Sequence, residues 1–223
     1  MKTTALVIAT SGALACLAIM PIGAPAAEPE APSETIYAAQ LRTLNSEIAG
    51  TAATGIAHFR VRGDKLTIRI VLQGVPSRIE HWQHLHGFTD SRAASCPIGP
   101  AGLANVDTNH DGIIDLIETM PGSGTTLVPL NAKPVTMDIA ANTYPQASAH
   151  GTYTYKETLS LKALQAAFAK SFNGASLDLD RLVVYVHGVP ADTRLPSTVA
   201  SLGAVPAHVT LPIDCGKLKR ASG

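Results

Sequence analysis

ATGIAHFRVRGDKLTIRIVLQGV, residues 53–75, reads as two strands and the turn between them. In the second half, Leu66, Ile68, Ile70 and Leu72 alternate with Lys65, Thr67, Arg69 and Val71. An apolar residue at every second position gives a strand one face for a core and one for solvent. Gly63-Asp64 between the halves is hairpin-turn chemistry. Candidate strands recur at residues 78–88 (RIEHWQHLHGF), 151–161 (GTYTYKETLSL), 179–189 (LDRLVVYVHGV) and 207–216 (AHVTLPIDCG). Short strands separated by Gly, Pro, Asn and Asp predict an all-β sandwich or barrel, mostly antiparallel. One segment breaks the pattern: in SLKALQAAFAKSFNG, residues 160–174, Leu161, Leu164, Phe168 and Phe172 recur at three- and four-residue steps. Ser160 can cap a helix there and Asn173-Gly174 can end it.

The chain opens MKTTALVIATSGALACLAIMPIGAPAAEPE. Lys2, a long apolar run and Ala24-Pro25-Ala26 in an A-x-A arrangement predict a signal peptide over residues 1–26. Ala13-Leu14-Ala15 is a poor lead-in to lipidation of Cys16, and apolar sequence continues past it. The expected destination is therefore the periplasm or the medium, with no lipid anchor and no membrane span after cleavage. Residues 27–34 read as a Pro/Ala/Glu-rich linker, and residues 35–220 as one domain. The chain has 17 Lys and Arg against 17 Asp and Glu, and 4% aromatic residues. Nothing in that balance suggests a nucleic-acid partner or an anionic membrane. No protein partner is identifiable. Cleavage leaves Cys96 and Cys215, and in an oxidising compartment a disulfide is the default. It closes about 120 residues, a constraint on the unfolded chain of roughly 4–5 kcal/mol.

DTNHDGIIDLIE, residues 107–118, fills every required position of a twelve-residue EF-hand calcium loop. Asp107, Asn109 and Asp111 stand at positions 1, 3 and 5, where side-chain oxygens are needed, and Gly112 stands at the sharp turn. Ile113 offers its carbonyl at position 7, Ile114 packs inward, Asp115 binds directly or through water, and Glu118 is bidentate at position 12. Pro97, Gly99, Pro100 and Gly102 leave little room for an entering helix, and Pro121-Gly122 predicts that the exiting helix stops within about a turn. The expectation is an isolated EF-hand-like loop inserted between strands, its calcium folding a connection with no core of its own.

His84 and His86, two apart on a candidate strand, point to one face and can share a metal. Imidazole suits copper or zinc. His187, ending LVVYVHG, is the best third ligand, ahead of His81, His150 and His208. The same trio also reads as a hydrogen-bonded histidine cluster at a strand end.

Residues 37–88, from YAAQLRTLNSE to HLHGF, resemble the start of a CHRD (chordin-type) domain, with its HxHG ending. HLHGFTDSRAASC, residues 84–96, is similar to Cu,Zn superoxide dismutase, where an HxH pair gives two copper ligands and a following cysteine half of a disulfide. VVYVHGVPADT resembles that family's last copper-ligand segment, with His187 in the ligand place, and IDCGKL its closing strand, with Cys215 as the second half-cystine. The resemblance implies an Ig-like, superoxide-dismutase-like antiparallel β-sandwich with one short helix and the inserted calcium loop. Two departures weigh against dismutation. The segment that brings a bridging histidine and zinc ligands carries the calcium loop here, and the arginine three residues before the closing cysteine is Pro212. The leading expectation is an exported calcium-binding protein with a structural or interaction role, leaning away from an enzyme. The alternative is a copper-binding oxidoreductase of dismutase type on His84, His86 and His187.

Overall fold

The computed structural model describes Met1 and residues 33–98 and 104–221. The chain divides into Met1–Ala31 and Pro32–Gly223, and everything below concerns the second unit. The expected signal peptide, and the linker up to Pro32, lie outside the described residues. Glu34, placed in the linker by its composition, is instead the first residue of a strand.

Nine strands form one antiparallel sheet. They are β1 (Glu34–Thr43), β2 (Thr54–Arg62), β3 (Lys65–Gln73), β4 (Gln83–Gly87), β5 (Thr125–Pro129), β6 (Thr152–Ser160), β7 (Val183–His187), β8 (Pro212–Lys217) and β9 (Lys219–Arg220). The order is β5-β4-β7-β8-β1-β2-β3-β6, with β9 beside β1. The 53–75 hairpin is present as read: β2 and β3 pair from Thr54↔Gln73 to Arg62↔Lys65. Leu66, Ile68, Ile70 and Leu72 are all buried.

The sheet curls until its ends approach. Tyr153 of β6 donates its hydroxyl to Gln83 Oε1 of β4 at 3.0 Å, and Tyr155 donates to the Asn131 carbonyl at 2.8 Å. An isolated antiparallel bridge joins Glu80 and Gln146. The enclosed face holds the main core, including Leu41, Phe59, Ile68, Leu85, Leu127 and Val184. The expected all-β, sandwich-like architecture is the one found. A second, smaller core lies on the other face, where Val183, Tyr185 and Cys215 meet Leu44 and Ala94. There Cys96 and Cys215 form the expected disulfide, Cα atoms 5.8 Å apart.

Among the described residues, helices α1 (Ser46–Ala49), α2 (Leu116–Ser123), α3 (Leu161–Ser171) and α4 (Ala207–Thr210) decorate the sheet, and residues 104–106 are helical just before the 107–118 loop, where the sequence predicts little room for an entering helix. The helix predicted from SLKALQAAFAKSFNG is α3. Its Ser160 side chain accepts from the Ala163 N–H, Leu164 and Phe168 are buried, and Asn173 and Gly174 take positive φ beyond its end. The helix leaving the 107–118 loop, α2, corrects an expectation: it runs through Pro121 to Ser123. It stops at Gly124, whose φ of 73° with ψ of −158° only glycine takes without strain, and where a Cβ would stand 1.9 Å from the Gly87 carbonyl oxygen. That close approach sets the end of α2 against β4, one residue beyond His86.

A candidate three-histidine metal centre

β4 carries His84 and His86 on the outward face, and β7 ends in His187. The register opposes His84 to Tyr185, and the His187 N–H donates to the Trp82 carbonyl at 2.8 Å. Pairing shifts between Leu85 and His86 and again between Val186 and His187. Such irregularities re-aim side chains. Here they border two of the three histidines. All three are buried, and one ring nitrogen of each lies within 4.8 Å of the other two. Among the described residues this is the one cluster of its kind.

The remaining nitrogen of each ring is held by a neighbour. His187 Nδ1 faces the Thr210 carbonyl at 2.8 Å, so it must donate, which leaves Nε2 as a bare lone pair. His84 Nε2 lies 2.8 Å from the Tyr144 hydroxyl, which already donates its hydrogen to the Ile139 carbonyl. His84 Nε2 therefore donates, and Nδ1 is bare. His86 Nε2 sits 3.2 Å from Thr126 Oγ1, and donation there leaves its Nδ1 bare. Those three atoms, His84 Nδ1, His86 Nδ1 and His187 Nε2, are buried without any hydrogen-bond partner. The histidines do not bond to one another; each is hydrogen-bonded to a neighbouring residue through its outer nitrogen. Fixing the outer nitrogen of a ligating imidazole fixes its tautomer and its aim. Buried lone pairs with no donor carry an uncompensated desolvation cost.

The electrostatics agree. Burial holds His84 and His86 well below the usual imidazole range, with the neighbouring histidines adding to it, and burial brings His187 down to about 4. The rings stay neutral, the form that ligates a metal. A metal ion fits this donor set: three imidazoles, each held by a neighbour on its outer nitrogen, with no charged side chain lining the adjoining cavity. The His84/His86/His187 cluster can hold a metal ion.

Above His84 and His187 lies a cavity of about 70 Å³ walled by Trp82, Leu116, Ile139, Leu202 and Val205. No charged side chain lines it. Tyr144 stacks on Trp82 with ring centres 5.3 Å apart, and Ser123 Oγ meets the hydroxyl of Tyr185, whose ring lies 4.7 Å from His86.

The weaker histidine candidates stand apart. His81 points to the opposite face, its nitrogens on the Pro76 and His187 carbonyls at 2.8 and 3.0 Å. His208 Nε2 meets the Thr193 carbonyl, and His150 is exposed.

The 107–118 loop folds on itself. Asp107 accepts from the Asp111 and Gly112 N–H groups, Asn109 Oδ1 also accepts from the Asp111 N–H, and Asp111 Oδ1 accepts from the Ile113 N–H. Glu118 Oε1 returns to the N–H groups of Thr108 and Asn109, while Oε2 takes that of Asp115. Asp115 caps α2, and Ile114 is buried as expected. The loop is also tied to a segment beyond it. Thr198 Oγ1 donates to Asp111 Oδ2 at 2.6 Å, and the Ala200 N–H donates to Asp115 Oδ2 at 2.6 Å. They tie down the strap that carries Leu202 and Val205 over the histidines.

Tyr144, Thr126 and Thr210, which set the tautomers, were not singled out from sequence. They stand 40 to 60 residues from the histidines they bond in two cases and 23 in the third, and no local pattern marks them. No family model matches this chain, and no curated protein matches it.

Proposed function

We propose that this protein is an exported metal-binding β-sandwich that takes one copper or zinc ion on His84, His86 and His187. The observation that carries the reading is the set of three bare, buried nitrogens, one per ring, with every outer nitrogen hydrogen-bonded to a neighbouring residue. Bound copper supplies one-electron redox chemistry, and bound zinc supplies Lewis acidity. The chain's own part is to hold the three imidazoles neutral and oriented, through Tyr144, Thr126 and Thr210. Trp82, Leu116, Ile139, Leu202 and Val205 keep bulk water and charge from the open side. An uncharged mouth does not draw in an anion, so a binding or carrier role is favoured over dismutation.

The test is metal analysis after equilibration with copper or zinc and gel filtration. One equivalent is expected for the wild type and less than about a tenth for His84→Ala/His187→Ala. Tyr144→Phe should bind more weakly while remaining folded, because His84 loses the acceptor that fixes its tautomer. Full stoichiometry in the double variant, or none in the wild type, refutes the reading.

Calcium at Asp107–Glu118 is a second reading. It is supported by the closure of the loop, which returns Glu118 at position 12 to Thr108 and Asn109 beside position 1. Saturation a hundredfold above Kd should stabilise the fold by about 2.7 kcal/mol. For a domain of this size that is about 5–10 °C in Tm. Asp107→Ala should abolish the shift, and identical melting in EDTA and millimolar calcium would sink it.

A further inference from the structure

A net charge of zero hides a segregation of charge. The outward residues of β9, β1, β2, β3 and β6 fall into rows, and the register places Lys219, Ala38, His58, Arg69 and Lys156 in one of them. The neighbouring rows add Arg60, Arg62 and Lys65, so these three rows hold six of the chain's 17 lysines and arginines. All six are exposed. The one carboxylate in the same rows is Glu34, 3.6 Å from Arg60 in an exposed pair. Asp64, at the hairpin turn, is occupied by the Ser160 hydroxyl and the Lys162 N–H. Like charges directly opposite across strands are destabilising. Arg69 and Lys156 form such a pair without an interleaved acid. Between these long side chains a groove of about 610 Å³ runs across β1, β2 and β3, with Ile36 and Ala38 in its floor.

We propose that this groove binds a linear acidic polysaccharide. Cations about 5 Å apart across strands and about 7 Å apart along them form a two-dimensional grid. A flexible chain with a carboxylate on each sugar can follow such a grid. A groove suits a chain, whereas a membrane surface needs protruding apolar or aromatic anchors. Single-stranded nucleic acid needs aromatic platforms. The rows that form the groove contain neither, their apolar members being the half-buried Ile36, Ala38, Ile56 and Val71. The polyanion relieves the repulsion in the cationic rows, so its binding raises Tm as well.

The probe is a size-defined polygalacturonate oligomer, titrated calorimetrically at about 50 and about 300 mM NaCl, with its neutral methyl ester as control. Binding is expected at low salt, weakening at high salt as counterions compete. Arg60→Glu/Arg69→Glu should bind at least about tenfold more weakly, and the milder Arg60→Gln/Arg69→Gln should follow in the same direction with an unchanged fold by melting. Lys133→Glu/Arg194→Glu, which makes the same change in net charge off this face, should stay within about twofold of wild type. Equal losses in the two charge-reversed variants, equal binding of the methyl ester, or no binding at low salt overturns the proposal. Tighter binding to phosphatidylglycerol vesicles than to polygalacturonate also overturns it, assigning the face to a membrane.

Discussion

Asp214 lies within the main core, in register between Val186 of β7 and Thr43 of β1, with no exposed surface and no hydrogen bond to either carboxyl oxygen. Burial pushes its carboxyl from the ordinary 3.8 up to about 8, the nearby Cys215 amide opposing only weakly. Between those two values the folded protein keeps a proton that the unfolded chain has lost. Stability from this group is therefore full below the ordinary value and is lost as pH rises toward 8. At 1.36 kcal/mol per unit, the interval from 3.8 to neutrality costs about 4 kcal/mol at pH 7. Asp214→Asn keeps the shape and removes the titration. The amide's own burial cost is the same at every pH, so it cancels when the stability gap between variant and wild type is compared across pH. Urea unfolding at pH 4, 5, 6 and 7 should show that gap moving by about 3–4 kcal/mol in the variant's favour. A gap that stays constant across the series would mean that Asp214 ionises in the fold, and the reasoning fails.

Removing the disulfide by Cys96→Ser/Cys215→Ser should lower stability by about 3–5 kcal/mol, read by urea unfolding, because the bridge spans 119 residues. An unchanged midpoint would contradict this. Gly124→Ala should cost more than about 2 kcal/mol, since its methyl meets the Gly87 carbonyl, whereas Gly112→Ala should cost only about 1 kcal/mol. Gly112 also has positive φ but nothing within 4 Å of a Cβ, so equal melting losses in the two variants would be inconsistent with the packing described.

The elements legible in the sequence were those whose cause is local. The 53–75 hairpin follows from strict alternation and a Gly-Asp turn, α3 from its apolar spacing and caps, and the disulfide from cysteine arithmetic. The sheet order is not local: β4 pairs with β7 about a hundred residues on, and β1 with β8 more than 170 residues on. α2 outlasts the stop that Pro121-Gly122 predicts. Pro121 stands six residues into the helix, which continues to the glycine that packs on β4. His84, His86 and His187 were legible as candidates from their positions on strands. What makes them a coherent donor set is not, because it rests on hydrogen bonds to Tyr144, Thr126 and the Thr210 carbonyl. The basic face was hidden for another reason. Composition sums charges over the whole molecule, whereas pairing register decides which of them stand side by side.

The strap from Thr198 to Val205 belongs at once to the acidic loop, through Asp111 and Asp115, and to the wall of the histidine cavity, through Leu202 and Val205. Anything that moves the strap is felt at both ends, and thermodynamic reciprocity then binds the two regions together. If occupancy of one changes the affinity of the other by some factor, the reverse effect must equal it. Two titrations in opposite order therefore measure one quantity, and Thr198→Ala, which cuts a single tie, should shrink it from both directions alike.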